Sequence, residues 1–296
     1  MLLSTFRATT LLFALSTFTM HAQAALPIRI LTHNIRYATT SPFPGEKPWA
    51  DRKQLILNEL HYNTLYNAES FICLQEALHN QVVDIMAGLG PDWAYIGVGR
   101  DDGKEAGEYS PIIYRPAIWS LESWKTVWLN EDGSVGKKGW DAGSVRIVTV
   151  GHFTHVQSKT RIMGMSTHFD NSGAVSRRES AKILLHLIGT ETSSNSTDTP
   201  FYLAGDLNSE TTGEAYQLLA SSLQDAKEVA KWRYGDSNTF TDFDDEDLTL
   251  IDFVFLGLKG GAEWRVEGYS VLPNRFEDGV YGSDHRTVVV DGVVDV

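Results

Sequence analysis

Between residues 94 and 169 the chain passes through five strand-like segments in a row, "AYIGVGR", "SPIIYR", "ESWKTVWL", "RIVTVGHFTHV" and "RIMGMSTHF", each rich in β-branched and aromatic residues. A doubly wound parallel sheet needs a helix between successive strands, so this uninterrupted series argues against one. Further strand patterns lie on either side: "IRILTHNIRY" and "SFICLQEA" before it, and "FYLAGDLN", "LIDFVFL", "EWRVEGYSVL" and "TVVVDGVV" after it. Helical patterns are fewer. "DRKQLILNELHYNTLY" carries an apolar face, a short helix follows "SFICLQEA", "SRRESAKILLHLIGTE" opens on a Ser176-x-x-Glu179 capping box, and "TTGEAYQLLASSL" opens on a Thr211-x-x-Glu214 box. This order predicts an α/β (α+β) four-layer sandwich: two mixed, largely antiparallel β-sheets packed face to face, with helices on the outside.

The first residues read differently. Arg7 precedes an apolar run from Leu11 to Phe18 and a small-residue Ala22-Gln23-Ala24 site, the pattern of a secretory signal peptide over 1–24, cut near Ala24/Ala25. That run is too short to span a bilayer, and no later segment is long and apolar enough. The expectation is a secreted monomer whose residues 25–296 form one domain, since no repeat or low-complexity linker divides them. Cys73 is the only cysteine, which excludes an intrachain disulfide and a thiolate metal cluster; inside "SFICLQEA" it reads as a small buried hydrophobe. The formal net charge is −13, or −14 once Arg7 leaves, and such a surface disfavours broad binding to a polyanion while permitting a local basic cleft. Asn195-Ser196-Thr197 forms a glycosylation acceptor in a Ser/Thr-rich stretch.

Chemistry is concentrated at strand ends. "FYLAGDLNSE" begins as a core strand and ends on Asp206 and Asn208, one carboxylate and one amide two residues apart; a local Asx-type turn is the plain alternative. The same pattern recurs at Asn34 after "IRILTH", Glu76 after "FICLQ", Glu108 in "GEYSPIIYR", His168 after "MGMST", Asp252 in "LTLIDFVFL" and Asp284-His285 before "RTVVV". Singly, each has a structural explanation as a cap, a satisfied core histidine or an ion-pair partner. Together, "THN", "LQE", "STHFD", "GDLN", "IDFVF" and "SDH" occur in an order that resembles the endonuclease/exonuclease/phosphatase superfamily across residues 27–291.

That resemblance implies a metal-dependent phosphoric ester hydrolase. By it, Glu76 is the principal metal carboxylate, supported by Asn34 and Asp284. Asp206 and Asn208 orient the attacking water and the phosphate, His285 is partnered by Asp252, and His168 is partnered by Glu108. The last pairing is similar to the deoxyribonuclease branch and unlike the abasic-site branch. An oxygen-rich site without thiolates favours Mg²⁺, with Mn²⁺ or Ca²⁺ as substitutes. A carboxylate bonded to each imidazole is expected to keep both cationic near neutral pH.

Specificity falls to segments outside this set. Arg52, Arg100, Arg146 and Arg177 are candidate phosphate clamps, with pairing to nearby acids (Asp101 and Asp102 for Arg100) as the alternative, and Trp49 and Trp140 either stack on a substrate ring or pack in the core. Three readings follow: a phosphoesterase acting on a small, glycan-linked or lipid-linked ester, an extracellular nuclease, and a catalytically silent binding domain. The absence of Lys/Arg-rich stretches favours the first, and retention of the full set disfavours the last.

Overall fold

The computed structural model describes residues 25–193, 199–244 and 248–295; the expected signal segment and Asn195 lie outside the described residues. One sheet holds seven strands: β1 (Ala25–Asn34), β2 (Phe71–Gln75), β3 (Ala94–Ile96), β4 (Ile112–Tyr114), β10 (Trp232–Gly235), β12 (Trp264–Val271) and β13 (Val288–Asp295), in the order β10-β12-β13-β1-β2-β4-β3. The other holds six: β5 (Trp119–Trp128), β6 (Ile147–His155), β7 (Arg161–His168), β8 (Phe201–Asp206), β9 (Leu223–Asp225) and β11 (Asp252–Leu258), in the order β5-β6-β7-β8-β11-β9. Only β1–β2, β7–β8 and β10–β12 pair in parallel, as the prediction of largely antiparallel sheets requires. The helices are α1 (Trp49–Thr64), α2 (His79–Leu89), α3 (Ala174–Ser193), α4 (Glu214–Ser222) and α5 (Ala226–Val229).

Alternation along the strands separates the layers. On β2, Phe71 and Cys73 face the second sheet while Ile72 and Leu74 face Leu60 of α1 and Ile85 of α2. On β8, Tyr202 and Ala204 point into the same inter-sheet core, and Leu203 points out to Leu184 and Ile188 of α3 and Leu219 of α4. Both faces are covered, which is why these strands read as continuous apolar runs. Phe71 sits at the centre of the inter-sheet layer, its ring 4.9 Å from Trp119 and 5.3 Å from Tyr202. Cys73 lies beside it, fully buried, with its thiol pushed up to about 12 by burial.

Three local expectations are corrected. Neither capping box forms: α3 starts two residues before Ser176, whose buried Oγ has no partner, and Asp141 caps the helix from a distant loop by accepting from Ser176 N at 2.7 Å and Val175 N at 3.2 Å. Likewise α4 begins after Gly213 with no side-chain cap, leaving Thr211 outside. The strand expected over 94–100 ends at Ile96, where Gly97 takes a φ of 126° and the chain departs into a loop. The short edge strands β9 and β10 were not evident in the sequence, because a three-residue strand and the wholly exposed "WRYG" carry no apolar alternation.

Candidate active site

The topology brings polar strand ends to one end of the sandwich. Asn34 lies beside Gln75 at the ends of β1 and β2, His168 beside Asp206 at the ends of β7 and β8, and Asp252 opposite Asp206 at the start of β11. Just beyond the strands the backbone turns sharply: Arg36, Glu76 and Asn208 adopt φ values of 54°, 59° and 45°. Non-glycine residues held in that region cost roughly 1–3 kcal/mol each, and such strain gathers where surrounding structure fixes side chains for function. Asp206 accepts from Asn208 N at 2.7 Å, so the Asx-type turn is present as well as the site.

A cleft of about 780 Å³ opens here, lined by Glu76, Glu108, His168, Asp206, Asn208, Asp284 and His285. Two further predicted residues lie beneath its floor. Asn34 donates through Nδ2 to Glu76 Oε1 at 3.2 Å and Asp206 Oδ2 at 3.1 Å, and Asp252 Oδ2 lies 2.8 Å from His285 Nδ1.

Protonation is set by burial and near neighbours. Burial opposes a charged His285, but the charge and hydrogen bond of Asp252, reinforced by Asp206 and Asp284, hold the imidazole well above its ordinary value. Asp206 is pushed up to about 7 by burial and by Asp252, against the opposing pull of His285. Asp284 is pushed up to about 6 by burial, with Glu76 adding to the rise and His285 opposing it.

His168 departs from expectation. Its Nδ1 lies 3.8 Å from Glu108 Oε2 and has no hydrogen-bond partner, because Arg100 Nη1 takes that same oxygen at 2.5 Å. Burial, then Arg146 and Arg100, hold His168 well below the usual imidazole range, so it is neutral where a cation was expected. Asn208 lines the cleft and also orients this histidine: its amide reaches His168 Nε2 at 3.0 Å and the Phe169 carbonyl at 3.1 Å.

The predicted arginines divide. Arg100, Arg146 and Arg177 all line the cleft. Arg146 bonds Asp170 and Asn171 but keeps Nη1 buried without a partner, and Arg177 is held by the Asp170 carbonyl at 2.8 Å. Arg52 is no clamp. Its side chain is fully buried and donates to the carbonyls of Ile35, Arg36, Lys47 and Gly282, tying α1 to the loops below the site. Trp49 is core, with Nε1 on Asp84, and Trp140 lies outside the cleft lining.

Arg36 was missed, though it stands two residues after Asn34 in the same motif. Its guanidinium lies between the rings of Tyr37 (4.4 Å) and Phe43 (4.5 Å), bonds Glu46, and approaches Glu76 Oε2 at 3.8 Å.

Two groups of residues offer ligand atoms. Asp206, Asp252 and His285 place ligand atoms within 4.8 Å of one another, with His285 Nδ1 on Asp252 and Nε2 3.7 Å from Asp206 Oδ2. Glu76 and Asp284 are two hard oxygen donors whose carboxylates repel each other, and Asn34, whose Oδ1 accepts from Arg36 N at 3.0 Å, stands beside Glu76; this donor chemistry fits a divalent cation.

No match was found among curated proteins. Solved structures match closely. An endonuclease/exonuclease/phosphatase from Bacteroides vulgatus is 32% identical with a TM-score of 0.80, covering 90% of this chain and 98% of its own. A protein of that family from Bacteroides thetaiotaomicron is 29% identical with a TM-score of 0.82, covering 92% and 100%. A mannosyl-6-phosphatase from Bacteroides thetaiotaomicron is 29% identical with a TM-score of 0.80, covering 90% and 99%. The endonuclease/exonuclease/phosphatase family model matches residues 31–285, and with the strand-end constellation in place the chain belongs to that family.

Proposed function

We propose that this protein is an exported, divalent-metal-dependent hydrolase of phosphate esters whose substrate is small or glycan-linked. Enzymes of the family hydrolyse phosphate esters and generally use a divalent metal. The observation that carries the reading is the pairing of a cationic His285 with Asp206, a carboxyl pushed up to about 7, on the floor of one cleft with arginines along its wall. Likeness to the mannosyl-6-phosphatase supports a phosphorylated sugar over a nucleic acid. A net charge of −13 points the same way, and the leader-like residues 1–24 support export.

Glu76, Asp284 and Asn34 would hold the cation, which when bound neutralises charge on the phosphoryl oxygens. Asp206 receives the proton of the attacking water at its carboxylate. His285, kept charged by Asp252, donates a hydrogen bond to a phosphoryl oxygen whose charge grows in the transition state. Asn208 and Arg146 fix His168 and the Asp170 loop, so the wall of the cleft stays in place. Retention of every charged group of the set speaks against a silent binding domain.

The test is a hydrolysis screen with Mg²⁺ and Mn²⁺ over sugar phosphates, bis-p-nitrophenyl phosphate, phospholipids, RNA and plasmid DNA. Sugar monoesters should be hydrolysed, chelator should abolish the reaction, and added salt should weaken it only shallowly. Efficient plasmid degradation that falls sharply between low and moderate salt would replace this reading with the nuclease.

A further inference from the structure

Around Arg36 the cleft lining carries aromatic residues. Phe43 is 51% exposed and lines the cleft, yet it is firmly held. Its ring lies against the Arg36 guanidinium, its N–H donates to Glu46 Oε2 at 2.9 Å, and its carbonyl accepts from Glu46 N at 3.1 Å. The loop carrying it packs on a second loop, residues 240–244. At Gly45 (φ 83°) an added Cβ would stand 2.8 Å from the Phe243 carbonyl, so the contact admits only glycine. That second loop is strained as well, with Asp242 and Phe243 at φ 50° and 60°. It brings Phe240 and Asp242 to the cleft, with the Phe240 ring edge-on to His285 at 5.1 Å.

An exposed aromatic fixed in this way next to reactive groups is a binding surface. Phe43 and Phe240 offer flat apolar faces, and the Asp242 carboxylate accepts hydrogen bonds without donating any. A pyranose matches both: its C–H face stacks on an aromatic ring and its hydroxyls donate to a carboxylate.

We infer that Phe43, Phe240 and Asp242 form the subsite for the sugar ring of the substrate and select hexose phosphates over esters without a ring. The inference rests on the proposed function and names the residues that choose the leaving group.

The experiment measures kcat/KM for a hexose 6-phosphate, ethyl phosphate and adenosine 5′-monophosphate with the Mg²⁺-loaded enzyme, in wild type, Phe43→Ala, Phe43→Tyr and Asp242→Ala. Thermal midpoints are recorded for all four. The hexose-to-ethyl ratio should fall about tenfold or more in Phe43→Ala and Asp242→Ala through a raised KM, and recover in Phe43→Tyr. An unchanged ratio with esters still hydrolysed overturns the subsite and leaves the proposed function standing. A fall confined to adenosine monophosphate also overturns it, because the platform would then read a base. Failure of wild type to hydrolyse any ester overturns both.

Discussion

His285 and His168 enter one cleft from the two sheets, each with a carboxylate nearby, yet they carry opposite charge. His285 has Asp252 at 2.8 Å and no arginine among the groups that shift it, so the imidazolium is favoured despite burial. His168 faces Arg146 and Arg100, and the latter also removes its carboxylate by pairing with Glu108. A histidine–carboxylate pair is therefore only as good as the competition for the carboxylate. In this cleft one histidine is a charged donor and the other a neutral ring fixed by Asn208.

The largest expected effect follows directly. His285→Ala should lower kcat on the hydrolysed ester by about 10² to 10⁴, whereas His168→Ala should lower it by about tenfold less, since on the proposed mechanism only the first removes a charged group from the reacting oxygens. Equal losses would erase the distinction.

A third imidazole sharpens it. His33 lies behind His285, pressed down to about 3 by burial and then by the His285 charge, and its Nδ1 is 3.4 Å from Glu59. Glu59 is itself pushed up to about 7 by burial, against the hydrogen bond from Thr287. From the ordinary carboxyl range up to about 7, the unfolded chain has released this proton and the native state has not. The contribution of Glu59 to stability therefore falls as pH rises through that window, while His33, neutral in the native state and protonated in the unfolded chain below its ordinary value, contributes in the opposite sense. Glu59→Gln should remove the first contribution and leave the second, so that the variant gains stability relative to wild type as pH rises, by on the order of 3 kcal/mol at the upper bound. Thermal midpoints of both proteins between pH 4.5 and 8 check it, and parallel slopes would show that Glu59 is not the group responsible.

The smallest effect concerns Arg100. Replacing it with Met removes a positive charge from His168 and frees Glu108, which is held up at about 7 chiefly by burial and by Glu76. The His168 pKa should rise, read from its ring resonances, while that of His285 should stay in place. No movement of His168 would mean that burial alone keeps it neutral.

Much of this was legible in the sequence. The uninterrupted strand series gave two sheets, and polar residues closing apolar strands marked Asn34, Glu76, His168, Asp206 and His285, because a core strand has no packing reason to end on them. Other features were written in a weaker code. Arg52 shares the buried stripe of α1 with Ile56 and Leu60 at four-residue spacing, a signal that it points inward, but arginine is ordinarily a surface residue and the spacing was overlooked. The Asp141 cap of α3 and the Arg100–Glu108 pair join residues through loop geometry, which leaves no periodicity to read. Phe43 in "SPFPGEKPW" looks like any turn residue until Gly45 is seen against Phe243.

The most direct measurement is a titration of the histidine ring nitrogens by NMR between pH 5 and 9. The electrostatics described here predict that His285 keeps both ring protons through neutral pH while His168 stays neutral across the range. A His168 that is cationic at pH 6, or a His285 that is neutral at pH 7, would contradict the assignment of the two rings and with it the role of His285 as the charged donor.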